Sequence, residues 1–527
     1  ANILDTDMTV EWDTKIQADQ YEVEVDGEIF VTTETAMVFS DVAPYSSFEV
    51  RVRALSGDII GEWTDTVISG NYVALGGEVT SDLTIVQGDD PFLVESDWII
   101  NEGVTLTIEA GVILRFNPSV KMHVEGTVNI LGTHSSASYM TSVKDPDIYS
   151  SQDIQSEYYW GGIVLGDTGV FNASYLNVRF AYNTDTKAMI NTSGQLSISH
   201  SNIQNTHSDS YAIYIDMFGM NEDKLESIYA VMGTGNVTGN HLNQVAMGGQ
   251  LVDDLTLSNN SIQHILTKDI DTLENTVLTI DAGVVIRAYN VGFSVFGSLN
   301  INGTEDDKVI MTSIHDTAHG GQGVVEESDY WRGINMQVGS NLDIKYLIFT
   351  YACDIETEYA LYLQGNANIW YSEFRYSYHS QIGYHTRSGT TTFVISNSVI
   401  ANNSVYGINA FGYLTEFGRG TITVSNCEFF DNLDSSFRSF SSRIVSTVED
   451  NIFYGKSNSA ICIDVMSPST VEKIINNTID SKDIEYGINL TNAYTNVLIR
   501  GNHISVSDSG IYAAGWTDLL EVEVSNN

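Results

Sequence analysis

Acidic side chains dominate the residues able to do chemistry. Asp354, Glu356 and Glu358 alternate, so on an extended strand they would share one face, as paired carboxylates must for glycoside hydrolysis. His379, His385 and Arg387 follow closely and could supply a base and a cation. The plainer expectation for both groups is a solvated polar surface. Two further segments gather carboxylates beside flexible Gly or Ser: Asp145, Asp147, Asp153 and Glu157 in one, Asp316, Glu326, Glu327 and Asp329 in the other. Such oxygen-rich loops could hold calcium, the one candidate cofactor, although neither has EF-hand spacing and a solvated loop is the simpler expectation. Aromatic residues offer another chemistry. Trp160 and Trp331 each follow one of these loops in a Tyr-Trp-x-Gly-Ile setting, where packing over the core is the simpler account. A denser run includes Trp370, Tyr371, Tyr376 and Tyr378; alternation turns half of it inward and leaves the rest as a strip on which sugars could stack.

Charge narrows the partners. Lys and Arg total 23 against 68 Asp and Glu, a formal charge of −45, so nucleic-acid phosphate and anionic lipid would be repelled. With 43% hydrophobic and only 17% charged residues the chain can bury a core. Cys353, Cys427 and Cys462 are an odd count without CxxC spacing, which speaks for buried free thiols over a disulfide scaffold or structural zinc. No apolar run approaches the roughly 20 residues of a membrane span. The start at Ala1, without Met or an apolar leader, reads as a processed or trimmed ectodomain, hence extracellular or at the cell surface.

Stepping along the chain, the elements that must position these residues are β-strands. Forty-three Gly, 28 Tyr and 5 Pro, with little amphipathic helical pattern, suit an all-β chain with many tight turns. Met8 to Trp12, Tyr21 to Val25 and Phe48 to Ala54 alternate with period two, and Asp26-Gly27 is a hairpin signal. With Trp12 as core tryptophan and Pro44-Tyr-Ser-Ser-Phe48 at the corner, residues 1–75 resemble a fibronectin type III domain. The pattern departs in having Phe48 where that family has its corner Tyr, and in a thin first strand holding only Ile3 and Leu4.

From 76 onward the chain repeats. Leu106-Thr-Ile-Glu-Ala-Gly111 reads like Leu278-Thr-Ile-Asp-Ala-Gly283, and Gly126 and Gly297, Met140 and Met311, and Trp160 and Trp331 are each 171 residues apart. Equal offsets across separate motifs imply a duplicated unit, about 77–249 and 250–420, with no helix expected between strands. Farther on, Asn426, Asn451, Asn477, Asn502 and Asn526 recur at spacings of 25, 26, 25 and 24 residues, one turn of a three-sided coil in which asparagines bond from rung to rung. Asn202, Asn240, Asn260 and Asn397 extend the pattern backward. Residues 76–527 therefore resemble the right-handed parallel β-helix superfamily, which includes pectate-lyase-like enzymes, phage tailspikes and secreted surface proteins. A final turn without a polar cap suggests a fragment, or an end that stacks on a neighbour.

That resemblance implies a fold and leaves function open. Motifs of the pectate lyase, alginate epimerase and polygalacturonase types are absent. The expectation is a structural or adhesive extracellular solenoid whose partners are a polysaccharide, a cell-surface glycan or copies of itself. The alternatives are a carbohydrate-active enzyme, a polysaccharide lyase or glycoside hydrolase working in a groove on the coil, and a trimeric phage fibre or tailspike domain.

Overall fold

The computed structural model describes residues 8–40, 47–65, 67–70, 72–88, 91–146, 154–204, 207, 210–233, 237, 242–259, 262–412, 418–441, 443–464, 471–491, 496–514 and 522–525. It divides into two compact units, Ala1–Tyr214 with Ala230–Asn243, and Ile215–Tyr229 with Gln244–Asn527.

The first unit opens with small antiparallel sheets. Gln20–Val25 pairs with Glu28–Thr32 through the Asp26-Gly27 hairpin, whose residues have φ of 49° and 86°, the left-handed geometry that a tight hairpin turn requires. Ser47–Ser56 pairs on the other side of Gln20–Val25, and Met8–Glu11 pairs separately with Ala36–Phe39. Alternation drives Tyr21, Val23, Val25, Val50 and Val52 into a small core, against which Trp12, Phe30, Phe39 and Phe48 pack. Ile3, Leu4 and Pro44 lie outside the described residues.

Beyond these sheets the unit coils in parallel. Each turn contributes one short strand to each of three faces. On face 1, Leu83–Ile85, Thr105–Ile108, Thr127–Leu131, Val170–Ser174 and Gln195–Ser199 stack in order, each paired in parallel with the next. The second unit repeats this plan: Val277–Asp281 lies on face 1, Val285–Ala288 on face 2 and Gly292–Val295 on face 3, and Ser298–Asn302 returns to face 1 above its predecessor. Period-two alternation aims Leu278, Ile280, Ile286, Phe293 and Val295 inward, each at most 3% exposed. At roughly 25 cal/mol per Å² of apolar area, stacking like on like along these columns is the main stabilising term, and it grows turn by turn. The chain is thus a nearly all-β parallel β-helix, as its repeats predict.

Corners explain the Asn and Tyr periodicity. Tyr346, Tyr371, Asn397, Asn426 and Asn476 occupy one corner column in left-handed backbone, φ 51° to 55°. Tyr351, Tyr376 and Asn402 occupy the next, φ 55° to 60°. Left-handed geometry costs an ordinary L-residue about 1–2 kcal/mol. Here rings repay part of that by stacking: Tyr346 on Tyr371 and Tyr351 on Tyr376, each with centroids 5.0 Å apart and planes within 11°. The buried asparagine ladder sits one residue later. Asn451 Nδ2 donates to Asn477 Oδ1, and Asn477 Nδ2 to Asn502 Oδ1, both at 3.0 Å. Asn426 is consequently not a member; its rung supplies Cys427, whose N–H donates to Asn451 Oδ1. Asn240, Asn260 and Asn526 lie outside the described residues.

One expectation fails. A helix, Glu222–Gly233, interrupts the coil, begun by Asn221 Oδ1 accepting the Lys224 N–H. Leu225, Ile228 and Tyr229 form its buried stripe at the i, i+3, i+4 spacing, and Tyr229 Oη lies 2.8 Å from His264 Nε2.

Candidate functional site

A cleft of about 630 Å³ opens in the second unit, lined by Asn290, Glu327, Tyr330, Arg332, Asp354, Glu356, Tyr378 and His379 among others. A smaller recess of about 150 Å³ shares Arg332 and Asp354 with it and adds Asp269, Asp271, Ser294 and Asn335. Register builds the recess. Asp271, Ser294 and Asn335 are stacked partners on face 3, pointing outward because the alternate residues Ile270, Phe293 and Ile334 fill the core. Gly292 and Gly333 are paired at the floor of the recess, and a Cβ on Gly292 would lie 2.4 Å from the Gly333 carbonyl oxygen. Gly333 has φ 76°, and a Cβ there would lie 1.9 Å from the Ala360 carbonyl oxygen, so only glycine fits.

Arg332 links two carboxylates across the recess: Nη1 lies 3.1 Å from Asp269 Oδ2, and Nε 3.8 Å from Asp354 Oδ1. Asp269 Oδ1 also accepts the Gly292 N–H at 2.8 Å. The Asp271 carboxyl is pushed up from the ordinary range by burial and by the neighbouring Asp269, with Arg332 opposing. The Tyr330 hydroxyl is raised to about 12, first by burial and then by Tyr351 and Glu327. Burial likewise lifts the Cys353 thiol to about 11, which keeps it protonated and inert as a nucleophile at neutral pH.

The candidate catalytic residues separate in space. Asp354, Glu356 and Glu358 do not share a strand face: residues 355–358 form a turn, and buried Asp354 spends its oxygens on the Glu356 N–H at 3.1 Å and the Thr357 hydroxyl at 3.3 Å. A local cap thus overrides the extended alternation. Asp354 and Glu356 still line the cleft. His379 joins them there, whereas His385 is 2% exposed, 2.6 Å from the Tyr362 hydroxyl and stacked on Phe411, with Arg387 Nε 3.3 Å from its Nδ1.

The loop carboxylates are engaged by the protein itself. Asp145 accepts from the Thr141 hydroxyl at 2.7 Å and pairs with Arg179 at 3.4 Å; Asp316, its counterpart, accepts from Thr312 and lies 2.6 Å from His319 Nδ1. Asp329 accepts the Glu326 N–H. Glu157 and Glu327 are exposed on short 3₁₀ turns. Among the described residues no group of three or more His, Cys, Asp or Glu is placed to hold a metal ion. Asp147 and Asp153 lie outside the described residues.

Trp160 and Trp331 pack into the core. Both are at most 1% exposed, and their indole N–H groups donate to the Arg179 and Thr350 carbonyls at 2.8 and 2.9 Å. Tyr371 and Tyr376 are exposed, but each gives one ring face to the stack along the coil. Trp370 is half-buried with Lys345 Nζ 5.5 Å from its ring, and Tyr378 stands at the cleft, 43% exposed.

Sequence reasoning missed Asp269, Asp271, Arg332 and Asn335, yet a signal was available. At the duplicate offsets Asp271 faces Ile99, Arg332 faces Gly161 and Asp354 faces Asn183. The flanking motifs match while these three positions acquire charge, and all three converge on one recess.

No family model matches the chain. A 69-residue stretch is 35% identical to Protein bark beetle of Drosophila melanogaster, covering 13% of this chain and 2% of that protein, so the chain spans a very small part of that relative. Among solved structures, the AlgE4 A-module of Azotobacter vinelandii mannuronan C-5 epimerase aligns over 80% of this chain and 91% of its own, at 10% identity and a TM-score of 0.21. The Yersinia enterocolitica family 28 exopolygalacturonase aligns over 99% and 96% at 9% identity, with a TM-score of 0.14. The catalytic domain of a GH87 α-1,3-glucanase aligns over 99% and 89%, also at 9% identity, with a TM-score of 0.23.

Proposed function

We propose that this chain is an extracellular β-helical protein that binds glycan in the face-3 cleft, its coil serving as a stiff support behind a fibronectin type III-like module at 1–75. The observation that carries this reading is the convergence of Tyr330, Tyr378, Arg332, Asp354 and Asp271 on two joined hollows, where aromatic edges and polar groups face the same space. Sugar rings are bound by that combination of flat apolar walls and fixed hydrogen-bond partners. The duplication about 77–249 and 250–420 supports it too, since Asp271, Arg332 and Asp354 stand where the other copy has the uncharged Ile99, Gly161 and Asn183. A panel of neutral, amino and uronate oligosaccharides, measured by calorimetry against the full chain and Tyr378→Ala, tests it. Binding that Tyr378→Ala weakens at least about tenfold is expected; absence of binding across the panel refutes the reading.

A second reading, glycoside hydrolysis, draws on one observation: Asp271 holds its proton to higher pH than an ordinary carboxyl, beside Asp269 and Arg332. Release of reducing ends from any bound oligomer, lost in Asp271→Asn, would establish it over binding alone.

A further inference from the structure

We infer that the cleft selects glycans bearing free amino groups, such as glucosamine units, over uronate-bearing ones; this rests on the glycan-binding reading above. The charge lining it is lopsided. Asp269, Asp271, Glu327, Asp354 and Glu356 face one guanidinium, Arg332, and one imidazole, His379. That guanidinium is already shared between Asp269 and Asp354, so a uronate entering the recess finds its positive charge occupied and meets further carboxylates.

An ammonium group meets the opposite situation. It brings a full charge and three donors to a site rich in acceptors. One of those acceptors lacks a donor: Asn335 Oδ1 is buried without a hydrogen-bond partner among the described residues, in the same recess as Asp271 and two rungs from it, with Ser294 between them. An unsatisfied buried acceptor favours a ligand that donates there, and a ligand carboxylate cannot. Selection by charge also agrees with the whole chain, whose formal charge of −45 repels polyuronates before they reach the cleft.

The test compares glucosamine, N-acetylglucosamine and galacturonate oligomers of equal length with the full chain at about pH 6, where the free amines are protonated, using calorimetry at two salt concentrations. The glucosamine oligomer is expected to bind at least about tenfold tighter than its acetylated form, with the gap shrinking in high salt. Asp271→Asn narrows that gap to within about threefold. Glu356→Gln, on an exposed turn, narrows it less and keeps the comparison available if the first variant does not fold. Equal affinity for the two amino-sugar forms, or tighter binding of the uronate, overturns charge selection while leaving glycan binding intact. Failure of all three, with failure of the wider panel, overturns the parent reading instead.

Discussion

Replacing Glu472 with Gln should remove a pH dependence that one carboxyl imposes on the distal turns. Glu472 points into the core from face 1, where its neighbours along the column are Ser446 and Val497. Its Oε2 accepts the Ser446 N–H at 2.8 Å, and burial pushes its pKa from 4.5 up to about 8. Below pH 4.5 the carboxyl is protonated in folded and unfolded chains alike, so it exerts no differential effect. Between pH 4.5 and 8 the unfolded chain ionises and the folded chain does not, and stability falls by about 1.4 kcal/mol per pH unit. At pH 7 the accumulated loss is about 3 kcal/mol. Above pH 8 both states are ionised and the loss stops growing. Glutamine keeps an oxygen for the Ser446 N–H and cannot ionise, so its cost is the same at every pH. Because turns of a solenoid open locally, the suitable assay is amide hydrogen exchange in Val471–Ile475, wild type against variant at matched pH. Their protection ratio should shift about tenfold per unit from pH 5 to 8 in favour of the variant. A ratio that stays constant over that range would refute the buried, protonated carboxyl.

Three other outcomes follow from the same kind of geometry. His264 is fully buried with its pKa lowered from 6.5 to about 4 by desolvation, so the folded state loses about 1.4 kcal/mol per unit as pH falls from 6.5 to 4; exchange in Gln263–Thr272 should show that slope and lose it in His264→Gln. Asn477→Ala removes the acceptor used by both the backbone and the amide of Asn451, which should cost about 2–4 kcal/mol locally, read as deprotection of the adjoining rungs; a change under about 1 kcal/mol would mean the ladder is not needed. Gly333→Ala places a methyl on the Ala360 carbonyl at a positive φ, and should lower the thermal midpoint and abolish oligosaccharide binding together, whereas a silent variant would contradict the recess floor.

Much of this architecture was readable from residue spacing because a coil is a local object. Each inward residue sits two places from the next, and each corner asparagine lies about one turn from its partner, so period alone locates both. Glu472 was readable in the same way, two residues before buried Ile474 in Val471-Glu-Lys-Ile-Ile475. What spacing could not reveal is where the chain departs from the repeat. Asp354 caps its own turn instead of extending, and the loop carboxylates Asp145 and Asp316 meet partners supplied by neighbouring strands and loops. The recess assembles Asp269, Arg332 and Asp354 from three different turns, with the turn of Gly292–Val295 lying between the first two. Charges brought together by stacking leave no local motif. They become visible only when one copy of the duplicated unit is laid against the other.

The asparagine ladder also has a direction. Between its members the earlier rung donates and the later rung accepts, from Cys427 to Asn451, Asn477 and Asn502, while each asparagine also donates Nδ2 back to a carbonyl of the preceding rung, Val424, Val448 and Ile474 in turn. Amide dipoles aligned head to tail polarise one another, so the string gains strength as a whole and loses it as a whole. Inverting one link by exchanging donor for acceptor, as Asn477→Asp does at its Nδ2, would set two acceptors face to face and break the relay in the middle. The same change at the final member would leave the upstream links in phase. Severity should therefore depend on rank within the string more than on burial, which is nearly equal for the three asparagines.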